Sequence, residues 1–190
     1  MNVSEFVWQR LAEWGLRRVY GYPGDGVGGL DVALEKAKDR IEYVQVRHEE
    51  MAAFMASAHA KFTGEVGLCY ATSGPGAIHL LNGLYDAKMD HVPVVALLGQ
   101  QARSAIGADY QQEVDLQTLF GEVSEYVATA SVPSQVPSDR PRGADRLRET
   151  RSRLRDPAER SAGPRLRRPA NGARRHPHRH RPRLPGAGAR

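Results

Sequence analysis

Cysteine is all but missing from this chain of 190 residues: Cys69 stands alone, inside the apolar run Val66-Gly67-Leu68-Cys69-Tyr70-Ala71. A single thiol excludes any disulfide framework within the chain and fits a reducing compartment. Its apolar neighbours favour a buried, inert side chain over a nucleophile. Long apolar runs are missing too. None approaches the roughly 20 residues that a membrane helix needs. The start, Met1-Asn2-Val3-Ser4-Glu5, has neither the basic nor the apolar stretch of a secretory signal. The expected location is cytoplasmic.

Beyond position 139 lysine is absent and large apolar residues nearly so. Residues 140–190 hold 17 Arg and 4 acids, with no Lys, Val, Ile, Phe, Tyr, Trp or Met and only four Leu. Residues 1–139 hold 10 Lys and Arg against 18 Asp and Glu, so the net charge of +5 averages −8 with +13. The basic segment has too little apolar surface to offset the entropy of ordering its backbone. The boundary is expected near Ser138 to Gly143, with a domain over residues 1–139 and a disordered Arg/Pro-rich tail over 140–190. Seventeen arginines could contact many phosphates. The tail has no aromatic for base stacking and no helical period, so specific nucleic-acid recognition is not expected. His176, His178 and His180 alternate with Pro177 and Arg179, a spacing suited only to weak metal chelation.

Periodicity organises the first 139 residues. Val3, Phe6, Val7, Leu11 and Trp14 recur at helical spacing, with Ser4 as a candidate N-cap and Gly15 as a stop. Arg18 to Tyr22 reads as a strand, Pro23-Gly24-Asp25-Gly26 as a loop, and Leu30 to Ala37 as a second helix. Further strands are expected at Tyr43–Val46, Val66–Ala71 and Pro93–Leu98. The last of these is apolar on both faces, as a central parallel strand should be. Helices are expected from Glu49 to Phe62, from Pro75 through Asp86 and over Gln111–Phe120, with a final strand at Tyr126–Thr129. Strands alternating with helices predict an α/β fold, a doubly wound and mostly parallel sheet flanked by helices.

Chemistry concentrates at two strand-to-helix junctions. Arg47-His48-Glu49-Glu50 puts a carboxylate where open α/β sheets hold their ligands. The second junction is Thr72-Ser73-Gly74-Pro75-Gly76. There Thr72 or Ser73 can cap the helix, Pro75 suits an early helical position, and Gly76 lets another group approach the backbone closely. His48 reads as a satisfied polar group beside Arg47, and Glu50 as a solvated helix residue. Gly24-Asp25-Gly26-Val27-Gly28-Gly29 formally matches the dinucleotide fingerprint, and Glu49 lies about twenty residues on, where a ribose-binding acid is expected. Against this, Pro23 breaks the turn and Glu49 opens a helix instead of ending a strand. Gly24-Asp25-Gly26 also imitates a magnesium-diphosphate motif. That motif needs a following asparagine, and the first after position 2 is the distant Asn82. No metal ligand set is expected in the domain.

Taken in order, Val46-Arg47-His48-Glu49-Glu50-Met51-Ala52-Ala53-Phe54, Ser73-Gly74-Pro75-Gly76, His79-Leu80-Leu81-Asn82-Gly83-Leu84-Tyr85-Asp86, His91-Val92-Pro93-Val94 and Ile106-Gly107-Ala108-Asp109-Tyr110-Gln111-Gln112-Glu113 resemble one family. It is the thiamine diphosphate-dependent enzymes of the pyruvate oxidase and acetolactate synthase group, and the detail is most like pyruvate oxidase. The resemblance runs from about Val3 to Pro133 and covers only the first, pyrimidine-binding domain, expected to be truncated at its C-terminal end. It implies that Glu49 hydrogen-bonds N1′ of the cofactor pyrimidine, which then removes the thiazolium C2 proton. The activated thiazolium attacks a 2-keto acid such as pyruvate and serves as electron sink for its decarboxylation. A carboxyl that shares a proton in this way calls for a dry interface. The resemblance further implies that Pro23, Gly24, Ser73, Pro75 and Asn82 line the cofactor pocket, that Gln112 lies on the substrate side, and that Asp25 departs from the common glycine. Mg2+, with FAD as an option, belongs to domains outside this chain, which alone is expected to be inactive. The complete enzyme is expected to be a homo-oligomer, dimer or tetramer, with peripheral membrane contact left open. The competing readings are an acetolactate synthase-like carboligase domain, a dinucleotide-binding domain and a protein binding nucleic acid through its arginine tail.

The tail carries the first prediction. Arginine, proline, alanine and glycine all have GC-rich codons, and a selected nucleic-acid arm more often mixes lysine with arginine. Residues from about Ser138 onward are therefore expected to be an out-of-frame translation of a GC-rich gene. Translating the other two frames beyond codon 139 should uncover a helix with valine and leucine and a continuation of the enzyme. If neither frame does so, the basic tail is genuine.

Overall fold

The structure is a computed structural model and describes residues 1–136. The expected disorder of the tail and its three histidines lie outside the described residues. Four short strands form one sheet: β1 (Arg18–Gly21), β2 (Glu42–Gln45), β3 (Gly67–Ala71) and β4 (Val94–Leu98). Every pairing is parallel and the order is β2-β1-β3-β4. The chain runs outward from β1 to β2, then returns to the other side of β1 for β3 and β4. Strand order therefore reverses between β1 and β3, the crevice where such sheets bind ligands.

Alternation along the strands builds two cores. Val19, Leu68 and Tyr70 point to the layer made by α1 (Val3–Glu13) and α2 (Gly28–Lys36), where Trp8, Leu11, Ala33 and Leu34 are buried. Tyr20, Cys69 and Ala71 point the other way, to α3 (Glu49–Thr63), α4 (Pro75–His79), α5 (Leu81–Met89) and α6 (Leu116–Gly121). β3 is buried at all five positions because both layers cover it. The Tyr70 hydroxyl donates to Asp31 Oδ1 at 2.8 Å, and Cys69 is a buried free thiol. No helix among the described residues is long and apolar enough to cross a membrane.

Several expectations need correction. α1 is capped by Asn2, not Ser4: Asn2 Oδ1 accepts from the Glu5 amide at 2.8 Å, and the Glu5 carboxylate accepts from the Asn2 amide. This reciprocal box starts the helix one residue before Ser4. Among the described residues β4 is an edge strand and half-buried throughout, although Val94, Ala96 and Leu98 touch one core and Val95 and Leu97 the other. An apolar run thus reported contact with both layers, not a central place. The helix after Pro75 tightens at Leu80, whose amide bonds to Ala77 O at 3.1 Å, dividing α4 from α5. α6 starts at Leu116, not Gln111, because Asp115 caps it through the Thr118 amide. Tyr126–Thr129 forms no strand: Val127 packs on the second core, and the segment joins no ladder.

Burial pushes the Cys69 thiol up to about 12. The native chain should resist an aromatic disulfide reagent at pH 8 and react fully once unfolded in denaturant. Reaction of the native chain at the rate of a free thiol would contradict this packing.

Candidate functional site

The junctions singled out in the sequence converge at the C-terminal ends of β1 and β3. Glu49 is the first residue of α3, whose N-cap is His48: the Glu50 amide donates to His48 Nδ1 at 3.3 Å. The Glu49 side chain is only 11% exposed. Its two oxygens face different neighbours. Oε2 lies 3.0 Å from His79 Nδ1, at the end of α4. Oε1 lies over Gly76, where a Cβ would sit 3.1 Å from it and 2.6 Å from Thr72 Cγ2. The close approach expected at Gly76 is thus made by Glu49 itself.

Two further loops close around this point. The Gly26 amide donates to Thr72 Oγ1 at 3.0 Å, which ties the Pro23–Gly26 loop to the Thr72–Gly76 turn. Added Cβ atoms at Gly24 and Gly26 would meet Thr72 and Ser73. Gln101 Nε2 donates to Ser73 Oγ at 3.2 Å and to Gln111 O at 3.0 Å, which draws the segment after β4 over the same turn. Gly74, at φ +61°, leaves room for the Gln112 carbonyl, and Gln112 itself has φ 63°. Neither Thr72 nor Ser73 caps α4; Gly74 takes that place without a side-chain bond, because both hydroxyls serve the neighbouring loops.

Ser73, Gly24 and Gln112 are therefore assembled around one turn, which contains Pro75, while Pro23 is the chain neighbour of Gly24. Asn82 reaches the site indirectly: it is exposed, and its Nδ2 donates to Glu50 Oε1 at 2.6 Å. Glu50 is half-buried and held by that bond, not freely solvated. His79 and Gln101 carried no expected role. A signal for His79 existed in the chain: a polar residue one helical turn beyond Pro75 lies on the side of the turn that faces Glu49.

His48, Glu49 and His79 have donor atoms within 4.8 Å of one another, a set that could be read as metal-binding. The two imidazoles lie against one another in a tilted pair, with centroids 4.3 Å apart and planes 31° from parallel. Both Nδ1 atoms are already engaged, His48 by the Glu50 amide and His79 by Glu49 Oε2. The trio is better described as a hydrogen-bonded carboxylate beside a histidine pair.

A parallel sheet with a buried carboxylate and a glycine cradle at its switch point defines a ligand-binding α/β domain. The family described as thiamine pyrophosphate enzyme, N-terminal TPP binding domain, matches residues 1–119, and the chain belongs to it. It is 44% identical over 127 residues to a pyruvate oxidase of Lactiplantibacillus plantarum, covering 67% of this chain and 21% of that protein. It is 39% identical over 129 residues to an acetolactate synthase of Arthrospira platensis, covering 67% and 22%. Against acetolactate synthase isozyme 2 large subunit of Escherichia coli it is 43% identical over 116 residues, covering 61% and 21%. The chain thus spans about one fifth of the length of these relatives.

Substitution at the cradle gives a local check. Gly76→Ala should destabilise the chain by about 1–3 kcal/mol, since Thr72 and Glu49 must both give way. Gly28→Ala, with nothing within 4 Å of the added Cβ, should cost nothing measurable. Urea unfolding of the two variants against the parent checks the difference.

Proposed function

We propose that this domain holds the aminopyrimidine end of thiamine diphosphate against Glu49, in an enzyme that decarboxylates a small 2-keto acid such as pyruvate and most resembles pyruvate oxidase. The observation that carries the reading is the Glu49 carboxylate, nearly buried at the switch point with Oε1 over a glycine. Among the described residues only Oε2 of this carboxyl has a hydrogen-bond partner, so Oε1 is the oxygen available to a ring nitrogen. When bound, the cofactor supplies a carbon nucleophile and an electron sink for loss of CO2. Glu49 holds a proton at Oε1 and exchanges it with the ring nitrogen presented there. Ser73, Gly24, Pro23 and Pro75 shape the surrounding turn. Asn82 acts on the rim through Glu50, and Gln112 faces the incoming 2-keto acid.

Diphosphate, Mg2+ and any FAD are held by parts of the complete enzyme beyond residues 1–136, which offer no match for them. The complete enzyme works as a homo-oligomer in the cytoplasm, with the bare surface around Glu49 covered by a partner domain. The identity with acetolactate synthases supports a second reading, a carboligase, which differs in the acceptor that follows decarboxylation.

The test grafts residues 1–119 in place of the corresponding segment of the Lactiplantibacillus pyruvate oxidase. By isothermal titration the 190-residue chain alone should show negligible thiamine diphosphate binding, and the hybrid should bind it and turn over pyruvate. Glu49→Gln in the hybrid keeps the shape but cannot cycle a proton. It should lose several kcal/mol of barrier lowering, each ~1.4 kcal/mol being tenfold in rate. Near-normal turnover of that variant would remove Glu49 from this role.

A further inference from the structure

The two oxygens of Glu49 are not equivalent, and the difference has a cause in a second residue. His79 Nδ1 lies 3.0 Å from Oε2. Oε2 accepts whether the carboxyl is ionised or carries its proton on Oε1, so the bridging hydrogen is that of His79 Nδ1, and a neutral His79 then leaves Nε2 bare. The neighbouring histidine has the opposite arrangement. His48 Nδ1 accepts from the Glu50 amide, so its proton sits on Nε2. The two rings face one another at 4.3 Å, and His79 ends a one-turn helix that Pro75 opens. Ring plane, ring position and proton are therefore all fixed on the Oε2 side. A glycine guards only Oε1.

We propose that His79 is the positioning residue of Glu49. By donating from Nδ1 to Oε2 it holds the carboxyl in one rotamer and reserves Oε1 for the heteroaromatic ring. This rests on the role of Glu49 given above, but its first consequence is a property of the chain itself: two adjacent imidazoles that take opposite tautomers wherever both are neutral. Without His79 the carboxyl is free to turn about its last bond, and either oxygen can face the ring at the wrong angle. Misplacement of a reacting group by about 1 Å can cost on the order of 10²-fold in rate.

The test is the 15N imidazole spectrum of the labelled 190-residue chain at about pH 8, where an ordinary histidine is neutral. His79 should show protonated Nδ1 and bare Nε2, and His48 the reverse within the same spectrum. His79 with protonated Nε2 would overturn the proposal. In Glu49→Ala, His79 should change to the His48 pattern while His48 stays as it is; an unchanged His79 would also overturn it. A second readout does not depend on that variant folding. In the hybrid enzyme His79→Ala should lower kcat about 10²-fold with KM for pyruvate unchanged. His79→Asn, whose amide nitrogen reaches the position of Nδ1, should recover most of the loss, and equal losses would refute the positioning role. The two readings fail separately. Normal turnover by Glu49→Gln sinks the cofactor role whatever the tautomers are. A dead Glu49→Gln with Nε2-protonated His79 sinks only this one.

Discussion

Close packing of α3 between β3 and α5 is the constraint on which the site depends. Ala52, Ala53, Ala56, Ser57 and Ala60 form its buried face, so the helix axis can approach both neighbours. At Gly67 an added Cβ would overlap the Ala56 carbonyl, and at Gly83 it would lie 2.5 Å from the Phe54 amide. Small residues on both sides leave the helix no freedom to slide, and dispersion across so tight a contact replaces what bulky side chains would give. Ser57 and Lys61 both donate to Asp86 Oδ2, at 2.7 and 2.6 Å, and fasten α3 to α5 by polar bonds as well. With its axis fixed, the first residue of α3 falls over Gly76, and that residue is Glu49.

From this follows the division of labour around the carboxylate. The first core, with Trp8 bonded to Leu30 O at 2.9 Å, holds α1 and α2 on the far face and takes no part in the site. The second core carries α3, α4 and the turn that joins β3 to α4. The loops after β1 and β4 are tied to that turn by Gly26, Gln101 and Gln112, so four segments distant in sequence meet at one glycine-lined point. Burial and orientation of a single carboxyl are thereby set by the fold.

Much of this was legible in the chain. β1 and β4 read clearly because β-branched and apolar runs end there at glycine or proline, β2 from Tyr43 and Val44 alone, and α3 because its residues are strong helix formers; Tyr126–Thr129 has the same composition but joins no ladder. Glu49 and the Gly74–Gly76 turn could be picked out because ligands in open parallel sheets gather at such junctions. What could not be read depends on partners across space. Thr72 and Ser73 look like helix caps until Gly26 and Gln101 claim their hydroxyls. Glu50 looks solvated until Asn82 reaches it. β4 looks central because composition records how many layers touch a strand, not whether a further strand lies beyond it. His79 sits one turn beyond Pro75, but which carboxylate it meets is decided by a partner 30 residues away on another helix.

The central claim is that Glu49 meets the aminopyrimidine through Oε1. The most direct measurement is a crystal structure of a complete enzyme carrying residues 1–119 with thiamine diphosphate bound. The account predicts pyrimidine N1′ at hydrogen-bond distance, about 2.7 Å, from Glu49 Oε1, the ring edge above Gly76, His79 still on Oε2, and the diphosphate outside this domain. A pyrimidine placed elsewhere, or a diphosphate seated on the Gly24–Gly29 loop, would contradict it.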